Sequence, residues 1–209
     1  VHPLFPPDLR IVEKEGLKDH DPDKKVTYLA LAPEGTLREA KFIVAITPGQ
    51  KGDAPQIEPL TAENALGVRL RDGKTISDVW LNLMADGRRM HRNSNNLIDG
   101  WDTDAYLLAL TRPADSAESD PDSLTRCFLA CGSYLRKADK VLLHSLSKVN
   151  TVFTCQGPQM QVALHGQPIT RVSIRAAVKP DTVSLNGRRV DPAYNAQSKT
   201  VTVYGTTGN

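Results

Sequence analysis

The stretch His91-Arg92-Asn93-Ser94-Asn95-Asn96-Leu97-Ile98-Asp99-Gly100-Trp101-Asp102-Thr103-Asp104 gathers an imidazole, a guanidinium, three amides, three carboxylates and an indole. Side chains of these types could form a sugar-binding surface. An indole face stacks on pyranose C–H groups, while carboxylates and amides bond hydroxyls in two-pronged geometry. Trp101, Asp102, Asp104, Asn95 and Asn96 supply that set. Arg92 and His91, beside Arg89, add groups that match the carboxylate or sulfate of an acidic sugar. The competing reading is packing. Trp101 would then close one end of a β-sandwich, and the Asx residues would bond their own backbone in turns. For His91 and Arg92 the bland alternative is a solvated basic turn after Asp86-Gly87.

Other chemistries find less support. Asp99, Asp102 and Asp104 lack the Asp-x-Asp-x-Asp-Gly order that wraps calcium. The five histidines are too dispersed for a zinc site. A Gly-x-Ser-x-Gly elbow, a phosphate loop and a dinucleotide fingerprint are all missing from the sequence. Neither a metal nor a cofactor is therefore expected. His144 and His165 lie in or beside strand-like runs and read as structural, and Trp80, between Val79 and Leu81, reads as core. Cys127 and Cys131 are four residues apart, about 13 Å along one strand, beyond the roughly 7 Å limit for bridging. Cys155 could bridge to either across strands, or all three thiols could stay free.

The elements that must position these groups are strands. Short apolar or alternating runs recur at Leu9–Val12, Val26–Leu31, Ala40–Ile46, Leu66–Leu70, Val79–Leu83, Tyr106–Thr111, Cys127–Cys131 and Val141–His144. Turn signals such as Pro33-Glu34-Gly35, Arg71-Asp72-Gly73-Lys74 and Ala85-Asp86-Gly87 fall between them. No sustained helical stripe is present. The pattern predicts an all-β fold, an antiparallel β-sandwich over residues 1–147. A smaller antiparallel β subdomain is expected over 148–209, where the strand runs shorten. Asn186-Gly187 marks a hairpin there, because both central residues of a type I′ turn need positive φ.

Length and charge bound the partners. The chain has 209 residues, 40% apolar and 24% charged, ordinary for a folded domain. A net charge of +2 with scattered basic residues gives no footprint for nucleic acid or an anionic membrane. No run approaches the roughly 20 apolar residues of a spanning helix. The Val-His-Pro start, without Met, is what a mature secreted chain or a piece of a longer one would show. It points to an extracellular or periplasmic setting.

From Leu66 onward the order of features resembles the β-rich C-terminal region of heparinase II/III-like polysaccharide lyases. The resemblance is carried by Leu66-Gly67-Val68-Arg69-Leu70, Val79-Trp80-Leu81-Asn82 and Trp101-Asp102-Thr103-Asp104-Ala105. It continues through Phe128-Leu129-Ala130-Cys131-Gly132-Ser133-Tyr134-Leu135 and Val183-Ser184-Leu185-Asn186-Gly187. Together these cover about two thirds of the chain, Leu66 to Tyr204. Such lyases join an N-terminal helical toroid, which carries most catalytic residues, to β layers. The resemblance implies a non-catalytic scaffold, inactive alone, that supports such a toroid in the same protein and lines a cleft for acidic polysaccharide. This sequence has no toroid, and His2 and His20 form no His-x-His motif, so no catalytic residue is assigned. The alternatives are a free-standing carbohydrate-binding or adhesion module and, more remotely, a complete lyase.

Overall fold

Within Thr75–Asn82 every second side chain is buried: Ile76, Asp78, Trp80 and Asn82. Leu107–Pro113 repeats the pattern with Leu108, Leu110 and Arg112. This period of two is that of strands with one face on a core. The computed structural model describes residues 1–18, 21–35, 41–47, 54–85, 95–117, 120–166 and 170–205. Over these residues the protein is all-β, with no α-helix and one 3-10 turn at Pro121–Ser123.

The chain divides into two units, Val1–Ile57 and Glu58–Asn209. The first holds β1 (His2–Phe5), β2 (Arg10–Lys18), β3 (Asp21–Ala32) and β4 (Ile43–Ala45), paired as β1–β4 and β2–β3. After β5 (Gln56–Ala62), the second unit continues with β6 (Ala65–Arg71), β7 (Thr75–Asn82), β8 (Asn96–Ile98), β9 (Trp101–Thr103) and β10 (Leu107–Pro113). Then come β11 (Arg126–Lys137), β12 (Lys140–Gln156), β13 (Gln159–Gly166) and β14 (Thr170–Arg175). The last four are β15 (Val183–Leu185), β16 (Arg188–Val190), β17 (Ala193–Asn195) and β18 (Thr200–Gly205).

Two long strands make two layers from one sheet. The first half of β11 (Arg126–Leu129) pairs with β10 on one side and with Thr151–Thr154 of β12 on the other. Its second half (Leu135–Lys137) pairs with β9 and with Lys140–Leu143 of β12. Strand β12 correspondingly meets β13 through its second half and β14 through its first. One layer thus runs β5-β6-β7-β10-β11-β12-β13, and the other β8-β9-β11-β12-β14-β18-β17. Strands that pass from one sheet to another do so at bulges or bends. Here register shifts flank Gly132, and Cys131 has a φ of 52°. Between the layers lies one apolar core, including Trp80, Trp101, Leu108, Leu129, Leu135, Leu143, Val149, Phe153 and Val172. Trp80 takes the core place expected of it.

A charge cluster sits on an inner face. Asp78 accepts from Arg69 Nε at 2.6 Å and Nη2 at 2.8 Å, and from Arg112 Nη1 at 3.3 Å. A buried carboxylate is tolerable only when paired in this way.

The antiparallel all-β architecture matches the sequence expectation. The boundary expected after residue 147 falls inside β12, a single strand of 17 residues. Hydrogen bonding of β14 to β12, and of β18 to β14, draws the C-terminal strands into the large sheet. Strands β15 and β16 form a small sheet of their own, joined through Asn186 (φ 50°) and Gly187 (φ 75°) in the hairpin geometry their types demand.

Candidate functional site

The described part of the segment that concentrated polar groups in the sequence, from Asn95 on, forms a tight hairpin of β8 and β9. Its turn is Asp99 (φ 50°) and Gly100 (φ 78°), the two positive φ values of a type I′ connection. In register, β9 sets Trp101 opposite Lys137, Asp102 opposite Arg136 and Thr103 opposite Leu135. The indole of Trp101 is 4% exposed and lies in the core, with Lys137 Nζ 4.9 Å from the ring centre. An ammonium there is attracted by the ring face and roofs it over.

Three further residues of the segment are committed to neighbours. Asn96, buried, donates through Nδ2 to the Asn64 carbonyl at 2.9 Å and to Asn82 Oδ1 at 3.1 Å. Thr103 Oγ1 donates to the Tyr134 carbonyl at 2.8 Å and accepts from the Ala105 amide at 3.1 Å. Buried Asp104 accepts through Oδ1 from the Ser133 amide at 2.7 Å and the Tyr134 amide at 3.3 Å, and through Oδ2 from Ser133 Oγ at 2.8 Å. Those amides belong to the bend of β11, whose Cys131 amide donates to Asn150 Oδ1 at 2.8 Å. Asp104 and Asn150 therefore satisfy backbone donors that the bulge withdraws from the ladder. A Cβ at Gly132 would stand 2.8 Å from Ala105 Cβ, so that crossing also needs the smallest residues.

Asp102 and Asn95 remain at the surface, Asn95 exposed and Asp102 partly so. Asp102 Oδ1 accepts from the Tyr134 hydroxyl at 2.9 Å, and Oδ2 from Arg136 Nε at 2.6 Å. Burial, and then the bond to the Asp102 carboxylate, push the Tyr134 phenol well above its ordinary pKa. It stays a proton donor at neutral pH. Asp102 and Asp104 bind different groups of Tyr134, its hydroxyl and its amide, and among the described residues no three His, Cys, Asp or Glu side chains converge on a metal-sized site. Arg92 and His91 lie outside the described residues. The cysteines Cys127, Cys131 and Cys155 are free thiols, and desolvation raises the pKa of Cys127 and Cys155.

Beside Asp102 the sheet presents a polar row that sequence reading missed. Tyr134 of β11 pairs with His144 of β12, His144 with Ser173 of β14, and Ser173 with Thr202 of β18. Three strand spacings of about 4.8 Å make this row about 14 Å long. Ser173 Oγ and Thr202 Oγ1 lie 2.8 Å apart, sharing a hydrogen bond. Val172 and Val201 are buried, with Val203 packed against the core, so alternation turns Arg171, Ser173, Thr202 and Tyr204 outward. Exposed Arg171 pairs in register with Tyr204, which is 69% exposed. Unlike Arg136, Arg171 has no acidic partner among the described residues. The row draws one residue from each of four strands, so no local sequence window reveals it. His144, read from sequence as structural, is exposed within it.

At the far end, the 3-10 turn at Pro121–Ser123 is clamped onto this layer. Arg175 donates to both Asp122 oxygens, with Nη2–Oδ2 at 2.9 Å, and Lys140 Nζ reaches Asp120 and Asp122 at 3.2 Å each. The Arg175 guanidinium, with Lys140 adding, holds the Asp122 carboxyl down at about 2.

Comparison with protein-family models and with curated protein sequences finds no match to this chain.

Proposed function

We propose that the chain is the non-catalytic β-sandwich portion of a heparinase II/III-like polysaccharide lyase, and that the outer face around the polar row contacts acidic glycan. The resemblance from Leu66 to Tyr204 supports the first half of this reading, as does the structural use of every residue in Trp101–Ala105. The exposed Arg171, set opposite Tyr204 and without an acidic partner among the described residues, carries the second half. A guanidinium forks onto a carboxylate or sulfate, and a phenol ring offers a face to pyranose C–H groups. Tyr134, His144, Ser173 and Thr202 line the same surface with hydrogen-bonding groups for hydroxyls. Lyase chemistry additionally needs a base at the proton beside the uronate and a group that neutralises its charge. Neither role is assigned to a residue of this face, and the toroid of the full enzyme would supply both.

The test is direct. The purified chain is expected to bind immobilised uronate glycan and to generate no unsaturated uronate from it. Arg171→Ala combined with Tyr204→Ala should weaken binding by about 1–3 kcal/mol, the scale of losing interface anchors. Equal binding by the double variant would sink the glycan face. Because Glu58–Asn209 has its own core, a second reading, a free-standing carbohydrate-binding module, shares this face. A reading frame that extends upstream through helical sequence would decide for the lyase.

A further inference from the structure

The large sheet ends, among the described residues, at four outer strands: β5, β8, β13 and β17. An outer strand offers unpaired backbone donors and acceptors, and proteins normally protect it by shortness, charge, proline or a bulge. Three of the four are protected. Strands β8 and β17 are three residues long, and β5 carries Glu58 and Pro59. Strand β13 has none of these devices. It runs eight residues, Gln-Met-Gln-Val-Ala-Leu-His-Gly, without Asp, Glu, Lys, Arg or Pro, and its pairing to β12 is free of register shifts.

Its side chains are also sorted for a neighbour. Val162 and Leu164 pack against the core, Met160 on the same face is 41% exposed, and Gln161, Ala163 and His165 face solvent. We infer that β13 is a dimerisation edge, pairing antiparallel with β13 of a second copy about a two-fold axis at Val162. In an antiparallel pair, directly opposed residues point to the same face. A two-fold axis at Val162 then sets Met160 of one copy opposite Leu164 of the other, and Gln161 opposite Ala163. Apolar meets apolar on the inner face, and the two strands bring no like charges together. A charged strand would repel its own copy in this arrangement, whereas this one is self-complementary.

The experiment is the mass in solution by light scattering or sedimentation, at up to about 100 µM, where a contact of micromolar affinity is saturated. The wild-type chain is expected at twice its 22.9 kDa. Gln161→Lys with Ala163→Lys places cations against cations on the solvent face and leaves the core untouched, so it should give a folded monomer. Gln161→Glu with Ala163→Glu should do the same, and mixing the two variants should restore a dimer. Thermal melting checks that each variant folds, and Gln161→Lys alone serves if the double change does not. A monomeric wild type, a lysine variant that still dimerises, or a mixture that stays monomeric would each overturn the inference.

Discussion

The Trp80 ring lies directly over Gly67, its cross-strand partner in β6. A Cβ built on Gly67 would stand 2.8 Å from Trp80 Cε3 and 2.6 Å from the Val79 carbonyl oxygen. Both distances are shorter than real contacts, and the second atom is backbone that cannot swing aside. The indole therefore needs a glycine beneath it to reach the core.

Gly67→Ala should accordingly destabilise the fold by about 1–3 kcal/mol, the usual cost of overpacking. Urea denaturation followed by tryptophan fluorescence measures it. An unchanged midpoint would mean that β6 and β7 can separate without loss.

Trp101→Ala should cost about 3–5 kcal/mol, because it removes a large side chain from a filled core. Glycan affinity per folded molecule should not change, since the indole is roofed by Lys137 and faces inward. Lys137→Ala tests the roof, with an expected loss of about 0.5–1 kcal/mol from the ring contact. A Trp101→Ala protein of normal stability but weakened binding would return the indole to the sugar.

Asp122 makes a pH-dependent prediction. Its folded pKa of about 2 lies below the ordinary 3.8. A carboxyl depressed on folding contributes stability that is complete above its unfolded pKa and is lost as pH falls through the folded value. Asp122 is partly solvent-screened, so Asp122→Asn should cost only about 1 kcal/mol near neutral pH. That difference from the wild type should shrink as pH drops from 3.8 towards 2. A gap that stays constant over this window would show that the Arg175 clamp does not depend on charge.

What the sequence revealed follows from how far each interaction reaches along the chain. Strand runs around Val79, Leu108 and Phe128 are local alternations, and Asn186-Gly187 is a two-residue signal, so these were legible. Strands β8 and β9 were not, because three residues each are too few to show a period, and the stretch around Asp99-Gly100 read as a loop. The bend in β11 depends on Asp104 meeting Ser133, 29 residues away, and on Ala105 meeting Gly132. Without that bend, β12 read as two strands with a domain boundary between them. Polar character alone made Asn96 and Asp104 resemble a binding surface, and only their partners reveal structural work. Arg171, by contrast, carries no sequence mark beyond its charge, and its position opposite Tyr204 is a product of register.

The hairpin of β11 and β12 leaves the sandwich without a seam. Each of these strands belongs to both layers, so neither layer can be peeled away intact. A pull on Arg171 or Tyr204 would pass through β14 into β12 and run along its length. The ladder between β11 and β12 would then be loaded in shear, with many hydrogen bonds resisting at once instead of opening one after another.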